Sequence, residues 1–137
     1  MPSRLKIDRL AQEHVMEKRK TILVVDDDEN QRLLYQEVLT DEGYDVLVAK
    51  DGKEALEEVE QKTPDLVILD IVMPEMDGME AMTRILRKHR RIPIILNTSY
   101  AKYRDDFMTW AADAYVVKSS DFTELKKKIK ELLLTSP

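Results

Sequence analysis

Four aspartates stand where short apolar runs stop. Thr21 to Val25 gives way to Asp26, Asp27 and Asp28, and Leu66 to Leu69 gives way to Asp70. Like charges brought close resist being ionised together unless a cation joins them. A hard divalent ion with oxygen ligands, Mg²⁺ for preference and Mn²⁺ as the alternative, would relieve that repulsion. The run Ile94 to Leu96 leads into Thr98 and Ser99, a hydroxyl pair after Pro93, and Tyr115 to Val117 leads into Lys118. A lysine and a hydroxyl facing a carboxylate and a divalent cation make a receptacle for phosphoryl oxygens. Singly, each residue has a plainer role. Asp26 to Glu29 suit a helix N-terminus, Asp70 closes a strand, and Thr98 and Lys118 fit ordinary strand ends. The combination at strand ends that share one edge points to a site.

The elements that must position these residues alternate. Thr21 to Val25, Val46 to Ala49, Leu66 to Leu69, Ile94 to Leu96 and Tyr115 to Val117 are rich in Val and Ile and mostly lack period-2 alternation, which implies strands covered on both faces. Between them lie helical spacings: Leu34 with Val38, Ala55 and Leu56 with Val59, Met79 with Met82 and Ile85, and Phe122, Leu125, Ile129, Leu132 and Leu133. A further helix is predicted over Lys102 to Ala112. Asp51 with Glu54 and Asp121 with Glu124 have capping-box spacing, and Gly43 follows the first helix. Five βα alternations imply an α/β fold, a parallel sheet with helices on both faces and right-handed crossovers. Ligands in such sheets sit outside the carboxyl ends of the strands, where strand order reverses.

The chain has 137 residues, 43% hydrophobic, enough for one domain with a core. Its net charge of -5 gives no support to a nucleic-acid coat or a polybasic membrane anchor. The absence of cysteine excludes a disulfide framework, a thiolate metal site and a cysteine nucleophile. No apolar stretch approaches the roughly 20 residues of a membrane helix, and no secretory signal opens the chain, so a cytoplasmic protein is expected. Residues 1–20 carry a local balance of +3 within the total of -5, so the remainder carries -8. That shift divides an N-terminal extension, 1–20, from a domain over 21–134 and a tail, 135–137. The run Arg87 to Arg91 reads as a solvated helix end, and Met73-Pro74 and Asp77-Gly78 as turn chemistry, with Gly78 free to take a positive φ.

Taken in order, Val24-Val25-Asp26-Asp27-Asp28, Leu69-Asp70-Ile71-Val72-Met73-Pro74-Glu75-Met76-Asp77-Gly78, Pro93 with Thr98-Ser99, and Tyr115-Val116-Val117-Lys118 resemble the receiver domain of bacterial two-component response regulators. The resemblance spans almost all of Thr21 to Leu134. It implies a flavodoxin-like, doubly wound five-stranded sheet in the order 2-1-3-4-5 with five helices. It implies that Asp70 accepts a phosphoryl group from a phosphohistidine on a histidine kinase or histidine phosphotransfer protein. Asp27 and Asp70 would then ligate Mg²⁺ directly, Asp26 through a water, and the backbone carbonyl of Val72 would join them. Lys118 and Thr98 would contact the phosphoryl oxygens. Thr98 and Tyr115 would form the switch that alters the face made by the fourth helix, fifth strand and fifth helix, a face through which many receivers also pair as homodimers. Such a module is a signalling phosphoacceptor and not an enzyme, with neither nucleic acid nor membrane as direct partner. It would be a stand-alone regulator, a relay intermediate or an excised receiver.

Three departures fall on the switch side. Receivers usually follow the lysine with a cis proline, whereas Ser119 follows Lys118. A cis bond there would cost about 2.5–4 kcal/mol, so the peptide is either trans in a rearranged loop or strained at a functional site. Trp110-Ala111-Ala112-Asp113 lacks a customary glycine, which predicts a different end to the fourth helix. Asn97 replaces an apolar strand residue and, if buried, needs a partner, with the fourth-helix loop as the expected source. Other functions fit less well. An aspartate-nucleophile phosphatase of the haloacid dehalogenase kind wants a second Asp where Val72 stands, and a nucleotide or flavin domain wants a glycine-rich loop. A degenerate receiver, acting as a phosphorylation-independent interaction module, would not need Asp26, Asp27, Asp70, Thr98 and Lys118 all intact.

Overall fold

The computed structural model describes residues 19–71, 78–99 and 111–135. Its elements are β1 (Thr21–Val25), α1 (Glu29–Asp41), β2 (Asp45–Ala49), α2 (Gly52–Lys62), β3 (Leu66–Leu69), α3 (Gly78–Lys88), β4 (Ile94–Thr98), β5 (Ala114–Val117) and α4 (Thr123–Thr135). Each predicted strand is found to within two residues. The five strands are parallel, in the order β2-β1-β3-β4-β5. Four helices occur among the described residues, against five expected. The fourth predicted helix falls almost wholly on residues 100–110, outside the described residues, as do Val72 and most of the N-terminal extension.

Unbroken apolarity in the strands follows from a sheet packed on both sides. Leu23, Val25, Val67, Leu69, Ile94 and Leu96 point to α2 and α3, where Ala55, Val59, Ala81, Met82 and Ile85 complete one core. The alternate residues Ile22, Val24, Leu66, Ile68, Ile95 and Val116 point to α1 and α4, meeting Tyr35, Leu39, Leu125 and Ile129. A side chain on either face is removed from water, so neither can be polar without a partner.

Local signals set the helix ends. Asp28 caps α1 by accepting from the Asn30 amide at 2.9 Å. Asp51 accepts from the Glu54 amide at 2.8 Å while Glu54 reaches back to the Lys50 amide at 3.3 Å, next to the expected cap position. Asp121 differs from the expected box: it takes the Thr123 amide at 2.9 Å and the Thr123 hydroxyl at 2.6 Å. After α1 the chain turns through Gly43 at φ +98°, with amide bonds from Gly43 to the Thr40 carbonyl and from Tyr44 to the Leu39 carbonyl.

The amino-terminal edge of the sheet is fastened by two aspartates. Asp65, just before β3, accepts from the Thr21 amide at 2.7 Å and donates its own amide to the Thr21 carbonyl at 2.8 Å. Asp113, just before β5, does the same with Ile94, at 2.8 Å in each direction. Neighbouring strands are thereby tied at their first residues, which fixes their register.

Candidate functional site

At the opposite edge the register pairs Val25 with Leu69, so the residues that follow, Asp26 and Asp70, emerge side by side. The parallel ladder continues through their main chains: the Asp26 amide donates to the Ala49 carbonyl at 3.1 Å and the Asp70 amide to the Val25 carbonyl at 3.0 Å. Order reverses between β1 and β3, which opens a crevice at this point. Asp26 and Asp70 are only 2% and 7% exposed, while Asp27 faces solvent. One carboxylate oxygen from each of the three lies within 4.8 Å of the others.

Lys118 enters this cluster from the end of β5. Its amide donates to the Thr98 carbonyl at 2.7 Å, so the β4–β5 ladder carries it to the crevice. Its Nζ donates to Asp26 Oδ2 at 2.5 Å and to Asp70 Oδ2 at 3.0 Å. Burial, the largest single influence, would push the ammonium's pKa down, but the bonds to Asp26 and Asp70 with their charges outweigh it and hold it above the ordinary lysine value. Lys118 is therefore a fixed cation at neutral pH. No cis peptide occurs among the described residues, so Lys118-Ser119 is trans, and the lysine reaches the carboxylates without the cis proline usual in receivers. The loop beyond is folded on itself, with the Asp121 amide donating to Ser119 Oγ at 3.1 Å.

Three carboxylates against one ammonium leave the cluster two charges short of neutrality, and its donors are all hard oxygens. That set fits a divalent cation such as Mg²⁺, with Asp26, Asp27 and Asp70 as the available ligands. The carbonyl of Val72, named with them from sequence, lies outside the described residues. Thr98 closes β4 completely buried. Tyr115 lies opposite Leu96 and packs, half-buried, on the α2–α3 side of the core.

Two features go beyond or against the sequence reading. Asn97 is buried as expected, and among the described residues its amide donates to the Tyr35 hydroxyl on α1 at 2.6 Å, while the fourth-helix loop expected to pair with it lies outside the described residues. β-strand alternation explains why: Thr98 and Asn97 face opposite sides, and the Asn97 side is roofed by α1. Gly78 does not take a positive φ. A Cβ built there would lie 2.0 Å from the Asp70 carbonyl oxygen, and the Gly78 amide donates to the Ile71 carbonyl at 2.8 Å. Glycine is needed because α3 begins against the main chain of Asp70. Sequence reasoning also passed over Arg32, whose guanidinium donates to the Asp26 carbonyl at 2.7 Å. One turn into a helix after the acidic run is the only signal that marks it.

Comparison with known proteins agrees with this geometry. Residues 22–130 match the family model described as the response regulator receiver domain. The alkaline phosphatase synthesis transcriptional regulatory protein PhoP of Bacillus subtilis is 36% identical over 119 residues, covering 85% of this chain and 50% of PhoP. The chain thus spans about half the length of that relative. Among solved structures, the response regulator protein TrrA of Thermotoga maritima, in complex with Mg(2+)-BeF, superposes with a TM-score of 0.80 at 50% identity, over 82% of this chain and 98% of TrrA. TrrA in complex with the histidine kinase ThkA matches with a TM-score of 0.79 at 51% identity, over 83% of this chain and 98% of that one.

Proposed function

The chain belongs to the response regulator receiver domain family of two-component systems, and from that premise we propose that it signals by accepting a phosphoryl group on Asp70. The observation that carries this reading is the Lys118 ammonium held between Asp26 and Asp70 inside a cluster of three carboxylates. A protonated lysine bonded to one buried carboxylate, beside further carboxylates able to hold a divalent cation, suits in-line transfer to that carboxylate.

In the transfer, an Asp70 oxygen forms the new bond to phosphorus as the phosphorus–nitrogen bond of a phosphohistidine breaks and its electron pair returns to the imidazole. Lys118 brings fixed positive charge to the equatorial oxygens. Mg²⁺, held by Asp26, Asp27 and Asp70, would supply further charge neutralisation there. Thr98, at the end of β4, would donate a hydrogen bond from its hydroxyl to a phosphoryl oxygen, and Tyr115 would respond as the switch on the β5 face. TrrA's occurrence in complex with a histidine kinase supports such a kinase as the donor, and a histidine phosphotransfer protein has the same donor chemistry. Mn²⁺ would serve in place of Mg²⁺. The protein is a phosphoacceptor that promotes only its own phosphorylation and dephosphorylation, in the cytoplasm. Partner binding or homodimerisation would go through the face made by the fourth predicted helix, β5 and α4.

Intact mass after incubation with Mg²⁺ and acetyl phosphate tests the reading. One added phosphoryl group is expected, lost on chelation and in Asp70→Asn. No adduct, together with failure to bind fluoroberyllate, would refute it and leave a phosphorylation-independent interaction module.

A further inference from the structure

Tyr35 is buried two turns into α1, the helix that follows Asp26 and Asp27, and it touches two other segments that carry site residues. Its hydroxyl accepts from Asn97 Nδ2 at 2.6 Å, one residue before Thr98. Its ring meets Phe122 edge to face, with centroids 5.2 Å apart and planes at 84°, four residues beyond Lys118. One side chain thus joins the helix behind the carboxylates, the strand end bearing the hydroxyl and the loop that returns from the lysine.

We propose that Tyr35, through Asn97 and Phe122, is the positioning residue that seats Thr98 and Lys118 for the phosphoryl group. The inference rests on the receiver reading and adds to it. Asn97 and Thr98 are consecutive in an extended strand, so a pin on the Asn97 side chain fixes the main chain from which Thr98 projects to the other face. Asn97 is 2% exposed, and moving its amide off Tyr35 would leave buried polar groups unpaired. The end of β4 therefore has one preferred seat. On the other side, Phe122 docks the Lys118 loop on the same tyrosine, which supplies a fixed point to a loop whose 118–119 peptide is trans. Preorganised donors are worth most where charge arrives from outside, as it does when a phosphoryl group enters.

The test separates Mg²⁺ from the phosphoryl mimic. Binding of Mg²⁺ alone depends on Asp26, Asp27 and Asp70, whereas fluoroberyllate with Mg²⁺ also draws on Thr98 and Lys118. Tyr35→Phe keeps the ring and removes the hydroxyl. It is expected to hold Mg²⁺ affinity within about twofold by calorimetry and to weaken fluoroberyllate about fivefold. The paired variant Tyr35→Phe with Asn97→Val leaves no orphaned amide and is expected to melt near the wild type while keeping the same deficit. Wild-type fluoroberyllate affinity in either variant would overturn the proposal, as would a parallel fall in Mg²⁺ affinity. Wild-type protein that binds Mg²⁺ but no fluoroberyllate would instead sink the receiver reading on which the proposal stands.

Discussion

Aspartate does opposite work at the two edges of one sheet. At the amino-terminal edge, Asp65 and Asp113 each accept a main-chain amide of the neighbouring strand and return their own, so their hydrogen-bonding capacity goes into holding strands in register. At the carboxyl-terminal edge, Asp26, Asp27 and Asp70 face one another, and a single lysine bridges two of them. The first pair stabilises the fold through bonds to the backbone of neighbouring strands. The second set holds like charges close, a cost the apolar layers beneath must offset. The same side chain is thus structural or chemical according to whether its partner is backbone or another charge.

Breaking the acidic edge should show the largest effect on function with little harm to the fold. Asp70→Asn is expected to abolish phosphoryl acceptance by mass spectrometry, while its urea midpoint in the absence of divalent ions stays level or rises, because one of three like charges is gone. Lys118→Met leaves two poorly exposed carboxylates without their cation. A loss of about 2 kcal/mol is expected in metal-free denaturant melts, shrinking as Mg²⁺ is added. Asp27→Ala, by contrast, should lower Mg²⁺ affinity more than Lys118→Ala does. At the other edge, Asp113→Ala removes a charge-assisted bond to the Ile94 amide and should cost about 1 kcal/mol, with Mg²⁺ affinity unchanged in calorimetry. A fall in Mg²⁺ affinity there would mean that the two edges are not independent.

The smallest effect concerns pH. The pKa of Lys118 is raised in the folded state by its two carboxylate partners, in spite of burial. Its contribution to stability is fully present below the ordinary lysine pKa of about 10.4 and is lost as pH rises through the raised folded value. Between neutral pH and about 10 this group should add no slope to the stability curve, and above that range the wild type should lose ground relative to Lys118→Met.

Much of this contrast was legible in the residues. Each doubly covered strand is an apolar run, and Asp26, Asp70, Thr98 and Lys118 stand at or just beyond strand ends, so reading the ends of the runs finds the site. The Tyr35–Asn97 bond was hidden because it spans 62 positions and joins two elements whose packing no periodicity encodes. Asp65 and Asp113 passed unremarked for a similar reason, since their partners are main-chain amides on other strands. The local pattern around Gly78 suggested a turn, whereas the demand on it comes from the carbonyl of Asp70.

That demand makes Gly78 an unusual position for anyone scanning this sequence by saturation mutagenesis. It offers no side-chain atom to a ligand, yet any replacement would drive a carbon into the peptide group of Asp70. Its tolerance profile should therefore be as empty as that of Asp70, and a scan scored by activity alone would count it as a reactive residue. Scored for folding as well, the two positions should part: Asp70 accepts Asn and stays folded, and Gly78 accepts nothing.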